Sequence, residues 1–173
     1  MNNEMNQLIS EKIKNFRMPR YNELPNMGLY LEQTTKYINT FLQPLGCIEI
    51  TPSMVSNYVK KDVIPNPIKK LYYADHIVYI IFVSFAKNLL TIENIGHLIE
   101  MQRASYTLPV AYDYFCNELE NMLFYNFGLK DSVEFLGETQ SMEKDMLKSL
   151  VFSAASIVHM HACIEAIKNR DNK

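Results

Sequence analysis

The chain has 173 residues, 48% of them hydrophobic, with only 5 Gly and 7 Pro, enough apolar material for one ordinary domain or two small ones and little linker. Its three cysteines, Cys47, Cys116 and Cys163, are odd in number and widely spaced, which excludes a disulfide framework. A net charge of −2 argues against a nonspecific nucleic-acid binder. No apolar signal region follows the start, and the longest near-continuous apolar run, Ile77 to Ala86, is too short for a bilayer core of about 30 Å, so the expectation is a cytoplasmic protein without membrane contact.

In chain order, residues 4 to 16 read as a loose amphipathic helix, with Leu8, Ile9, Ile13 and Phe16 at helical spacing. Residues 17 to 26 form a connector punctuated by Pro19 and Pro25. Leu29 to Leu42 carries one apolar stripe, Leu31, Thr34, Tyr37, Ile38, Phe41 and Leu42, and predicts a helix stopped by Pro44 and Gly46. The next helix begins at Thr51, whose hydroxyl suits an N-cap, with Pro52 at the first helical position. Val55 and Val59 face inward there, and Ser53, Ser56, Asn57 and Lys60 face outward. Pro65 and Pro67 end it, because neither has a backbone N–H to give. Residues 63 to 72 predict a wing with short β character at most. Ala74 to Asn88 and Ile92 to Gln102 predict two further helices. After them come two long ones, Leu108 to Phe127 and Ser141 to Lys168, with Gly128 suited to a left-handed cap. Residues 129 to 140 read as a polar loop with an apolar patch from Val133 to Leu136.

The stretch from Ile50 to Ile77 resembles the winged helix-turn-helix of the MerR type. Ile50, Thr51 and Pro52 match that family's hydrophobe, small hydroxyl residue and Pro at the helix start. Val55, Tyr58 and Lys60 take its Leu, second Tyr and basic positions, and Val63, Ile64 and Pro65 its closing hydrophobes and Pro. Lys70, Leu71, Tyr72, Asp75 and Ile77 fit the end of its wing, and Leu90, Thr91, Ile92, Glu93 and Ile95 the start of its fourth helix. Asp62 stands where the family closes the helix with Gly, Tyr73 where it has a Ser cap, and Ser56 and Asn57 replace a basic residue and a Tyr. A wider resemblance is carried by Arg17-Met18-Pro19-Arg20-Tyr21-Asn22-Glu23-Leu24-Pro25, by Leu29 to Gln33 and by Asn57 to Lys60. Over roughly residues 17 to 120 the chain is similar to an uncharacterised bacterial family, domain of unknown function 1836.

Charge is distributed unevenly. Residues 51 to 90 hold Lys60, Lys61, Lys69, Lys70 and Lys87 against Asp62 and Asp75, a net of +3, whereas residues 91 to 140 reach −6. A basic head on an acidic body fits a protein that touches DNA at one end.

The expected fold is therefore all-α with a minor β wing: a winged helix-turn-helix head over residues 1–103 and a helical body over 104–173 that serves dimerisation or effector binding. The expected function is sequence-specific binding of double-stranded DNA in transcriptional control. Ser53, Ser56 and Asn57 would reach base edges, and Lys60, Lys61, Lys69, Lys70 and Tyr72 would hold phosphates. The alternatives are a protein-interaction module on the same scaffold and an excisionase-like factor that bends DNA. A homodimer is expected through the C-terminal helices, because the last helix carries a band of apolar residues from Met146 to Ile164 wider than one neighbour requires.

Other constellations are weaker. His159, His161 and Cys163 could suggest a metal, but two residues on a helix point about 200° apart, and a site needs three or four convergent ligands. The cysteines read as small buried hydrophobes. Tyr106, Tyr112, Tyr114, Phe115, Phe124, Tyr125 and Phe127, near Asp113, Glu118 and Glu120, read first as core and dimer contact. They leave open a pocket for a cationic small-molecule effector. No phosphate loop, catalytic triad order or carboxylate pair is present, so neither enzyme activity, metal nor cofactor is expected.

Overall fold

A computed structural model describes residues 2–134 and 140–171. Among these residues seven α-helices follow one another: α1 (Asn2–Glu11), α2 (Leu31–Leu42), α3 (Pro52–Lys60), α4 (Ala74–Ala86), α5 (Ile92–Ser105), α6 (Leu108–Asn126) and α7 (Met142–Asp171). Among the described residues β structure is limited to two antiparallel bridges, Leu29 with Tyr72 and Ile68 with Leu71. The all-α class and the helix order agree with the sequence. Of the expected patch from Val133 to Leu136, Phe135 and Leu136 lie outside the described residues.

α4 is the axis of the molecule. Of its 13 residues, ten are buried, among them Ile77, Ile80, Ile81, Val83 and Phe85. Each fully buried aliphatic or aromatic side chain of this size contributes about 1.5–3 kcal/mol relative to exposure. α2 packs on α3 and α4, and α5 on α6. α6 and α7 form the most extensive helix pair, and α7 also receives α1 and α4. Buried side chains run without a break from Ile9 and Ile13 through α4 to Leu150 and Val158, so the residues on either side of position 103 share one core.

Local chemistry sets the helix ends. Thr51 Oγ1 accepts from Met54 N at 3.3 Å and Thr91 Oγ1 from Asn94 N at 3.2 Å, two N-caps of the expected kind. α3 closes with Asp62 at φ 57°, the left-handed conformation that its Gly-like position requires. There Val63 N reaches back to Tyr58 O at 3.0 Å and Asp62 N to Val59 O at 3.0 Å, a Schellman closure with Asp in the glycine place. Gly128 closes α6 in the same way at φ 70°.

α7 has two faces. Leu150, Val151, Ala154 and Val158 are buried on one. Met142, Met146, Met160, Ile164 and Ile167 are exposed. At about 100° per residue these five fall within a stripe about 60° wide, turned about 120° from the middle of the buried face. The stretch Met142–Asn169 is also long and apolar enough to cross a membrane by length and composition alone, a property that the run Ile77 to Ala86 does not share.

Candidate functional site

The outward face of α3 follows from its inward one. Val55 and Tyr58 are buried, and Val59, expected in the core, is half-buried because Tyr58 takes the inner position. Ser53, Ser56, Asn57 and Lys60 are exposed, as is Lys61 at the cap. Ser53 lies 3.3 Å from the Thr51 hydroxyl. No hydrogen bond or ion pair engages the side chains of Ser56, Asn57, Lys60 or Lys61 among the described residues.

Two side chains fix α3 from behind. Asn39 of α2 donates through Nδ2 to Ile50 O at 2.8 Å and accepts from Ile50 N at 3.0 Å, clamping the residue just before the Thr51 cap. Lys87, at the end of α4, donates to Glu49 O and reaches Met54 Sδ at 3.4 Å. Burial pushes the Lys87 ammonium below its ordinary range, with Glu49 opposing that shift. Nothing in the sequence pattern gave either residue this part: Asn39 reads as an ordinary polar helix residue, and Lys87, counted with the basic charge of the head, is instead engaged with Glu49 O and Met54.

The segment from Val63 to Tyr72 turns at a two-residue hairpin. Ile68 and Leu71 exchange both backbone hydrogen bonds, at 3.0 and 2.9 Å. Lys69 and Lys70 occupy the turn at φ 50° and 68°. Positive φ at both central positions is the type I′ pattern, which ordinarily selects Asn and Gly. Here two exposed lysines adopt it, and no hydrogen bond or ion pair engages either ammonium among the described residues. Their backbone strain is of the kind that persists where the surrounding structure and a local role demand it.

Tyr72 departs from the expectation. Its side chain is buried, 4% exposed, and meets His76 edge-on at 5.6 Å, so its ring belongs to the core rather than to a phosphate-facing surface. Its backbone pairs with Leu29 at 2.9 and 2.8 Å, tying the hairpin to the start of α2. A Cβ at Gly28 would lie 2.8 Å from Leu71 Cβ, so the close approach at this bridge requires glycine. His76 completes the anchor. Its Nδ1 accepts from Tyr73 N at 3.1 Å, which places the proton on Nε2, and Nε2 donates to Asn66 O at 3.0 Å. α4 thus fastens the hairpin at its first turn and α3 just past its last.

The connector before α2 is locked to α6. Arg20 makes a two-pronged contact with Glu120, Nη1 to Oε1 at 2.7 Å and Nη2 to Oε2 at 2.8 Å, and also reaches Asn117 Oδ1 at 2.7 Å. Glu120 Oε1 accepts from Met18 N as well, at 2.8 Å, and Tyr21 N donates to Asp113 Oδ1 at 2.8 Å. Hydrogen bonding to Glu120 holds the Arg20 guanidinium above its ordinary value despite the opposing burial. Tyr21 donates its hydroxyl to Asp75, which pushes the phenol up to about 12.

A family model, domain of unknown function (DUF1836), matches residues 19–115, more than half of the chain. The chain belongs to the DUF1836 family. Comparison with curated proteins found no match, and neither did comparison with solved structures. The DUF1836 stretch takes in Arg20, Tyr21, α2 to α5 and the first half of α6. It includes Asp113 but stops before Asn117 and Glu120, so half of the connector lock comes from outside it.

A second feature lies on the far side of α4. A cavity of about 240 Å³ opens between α4, α5, α6 and α7. Tyr106, Tyr112, Tyr114 and Phe115 of the expected aromatic group line it, joined by Tyr79 and Phe82, whereas Phe124, Tyr125 and Phe127 do not. The carboxylates expected beside it are elsewhere. Asp113 and Glu120 serve the connector, and Glu118, fully buried, has Lys148 Nζ at 3.9 Å. The charge that the described residues bring to the lining comes instead from the adjacent pair Glu143 and Lys144 of α7, which are of opposite sign.

The remaining constellations resolve into packing. His159 meets Phe127 edge-on at 5.0 Å and stands 3.7 Å from Cys163 Sγ. No group of three or more potential metal ligands forms among the described residues. Burial pushes the Cys116 thiol up to about 12, which removes the thiolate that redox chemistry needs.

Proposed function

We propose that this DUF1836 protein binds double-stranded DNA as a MerR-like winged helix-turn-helix regulator of transcription. In this reading α2 and α3 are the helix pair, α3 enters the major groove, and the Lys69–Lys70 hairpin is the wing against the phosphate backbone. The observation that carries the reading is the hairpin tip, where two lysines hold a strained turn that Asn and Gly would adopt freely. A turn chosen for stability alone would not carry them, and paired cations at a tip suit phosphate. The outward face of α3 adds the second element. Ser53, Ser56 and Asn57 offer donors and acceptors of the kind that base edges require, and Lys60 and Lys61 flank them with positive charge. Tyr72 has no part in the contact.

A homodimer through α7 belongs to the same proposal. The exposed stripe from Met142 to Ile167 is apolar at its two ends, with the small Ser149 and Ser153 between them, and two heads on one duplex face multiply specificity. The reading places the protein in the cytoplasm, with the stripe covered by a second chain rather than by lipid.

Selection of the purified protein against random duplex DNA tests the function. An enriched motif with two-fold symmetry supports the regulator. Enriched sites that bend strongly on binding, seen as anomalous gel mobility, favour the excisionase-like alternative. Flat enrichment together with a co-purifying protein partner favours an interaction module.

A further inference from the structure

We infer that the cavity between α4 and α7 is a binding site for a neutral aromatic small molecule, a function separate from the DNA contact. Its size sets the first limit. An apolar cavity of about 150 Å³ holds one benzene ring, and drug-sized pockets begin at about 300 Å³, so about 240 Å³ suits two fused rings or one substituted ring, about ten non-hydrogen atoms.

Its walls set the second. Tyr79 and Phe82 from α4, Leu98 from α5, Ala111 and Phe115 from α6 and Leu147 from α7 form an almost wholly apolar lining. Phe82 and Phe115 already meet edge-on at 5.9 Å, and Tyr112 stacks on Phe115 at 6.5 Å. A further ring extends that array with the same edge-to-face geometry, which favours aromatic over aliphatic occupants.

Charge sets the third limit. Among the described residues Glu143 and Lys144 are the charged members of the lining, and both belong to the first turn of α7. Lys144 Nζ already stands 5.7 Å from the Tyr114 ring centre. Gln102 is the remaining polar side chain of the lining that is not aromatic, and its amide donates to Tyr106 O at 2.9 Å. Asp113 and Glu120 serve the connector, and Glu143 and Lys144 stand side by side with opposite signs, so the lining offers no net charge to compensate an ionised ligand for its lost water. A neutral ring system loses nothing of that kind.

The experiment uses 1-fluoronaphthalene as the probe, the full-length protein and no DNA, so that its outcome is independent of the DNA-binding reading. Fluorine NMR should show saturable binding of one molecule per chain, with Kd on the order of 10–100 µM. Ala111→Phe should fill the space and weaken binding at least tenfold, while Leu8→Ala, on the exposed face of α1, should leave it unchanged. Intermolecular NOEs in the wild-type protein should connect the naphthalene protons with the methyl groups of Leu98 and Leu147. These contacts decide the matter even if Ala111→Phe does not fold. No saturable binding, unchanged binding by folded Ala111→Phe, or NOEs to other parts of the chain would each overturn the assignment.

Discussion

Arg20 and Glu120, separated by 100 positions, face each other through two parallel hydrogen bonds of 2.7 and 2.8 Å, with side chains 19% and 14% exposed. The pair holds the connector against α6, and Glu120 also takes the Met18 N–H. Removing one partner leaves the other charge half-desolvated and without its counter-ion. Arg20→Ala should therefore lower stability by about 2–4 kcal/mol in urea denaturation. A loss below about 1 kcal/mol would show that the contact is solvated in solution.

His76→Phe keeps the ring volume but removes both nitrogens. Tyr73 N and Asn66 O would then lose their partners in a part-buried setting, which costs about 1–2 kcal/mol. Thermal unfolding followed by circular dichroism should show the loss. The reading of His76 as the hairpin anchor further requires faster amide exchange at Leu71 and Tyr72 in the variant than at the α6 core.

Replacing Lys69 and Lys70 with Asn and Gly separates turn strain from charge. The pair adopts positive φ at less strain, so the variant should gain about 1 kcal/mol in stability. If the lysines contact phosphate, the same variant should bind all duplex sequences more weakly, and the slope of log K against log salt should flatten by about two units. Lys69→Ala with Lys70→Ala should flatten the slope equally without the gain in stability. An unchanged slope in both removes the hairpin from any DNA contact.

Asn57 has an exposed amide with both a donor and an acceptor, on the face opposite Val55. Asn57→Ala should lose about 1–3 kcal/mol of affinity on the selected site and far less on random DNA. Equal losses on the two, measured by fluorescence anisotropy, would assign Asn57 to the backbone instead.

Met160→Glu combined with Ile164→Glu places two charges in the C-terminal part of the exposed α7 stripe. Both positions are 40% exposed or more, so the fold should tolerate them. Sedimentation should then change from dimer to monomer at micromolar concentration. A monomeric wild-type protein under the same conditions would remove the dimer from the reading.

The helices were legible because their signals are local. Thr51, Pro52 and Thr91 announce helix starts within a few residues, and Gly128 announces an end. Asp62 in a left-handed closure was legible too, since position rather than identity demanded it. Residues that act across the chain were hidden. Glu120 reads as one more acid on α6, and only the folded chain brings it to Arg20. The burial of Tyr72 was invisible for a related reason, because the hairpin bends its ring back onto His76. Asp113 and Glu120, within a few positions of the aromatic group in sequence, proved to face the connector rather than the cavity, since neighbouring helix residues point in different directions.

The hairpin around Lys69 and Lys70 has two ladder hydrogen bonds of its own and a turn that opposes its closure. Such a hairpin does not persist alone in water. Its order is supplied from outside, by the bridge to Leu29 and by the imidazole of His76. Local opening at the tip therefore requires much less free energy than global unfolding, and the Leu71 amide should exchange with solvent far sooner than the amides of α4. An anion captured between the two lysines would slow that exchange, so the tip acts as a reporter in which protection at one backbone amide measures occupancy of two side chains.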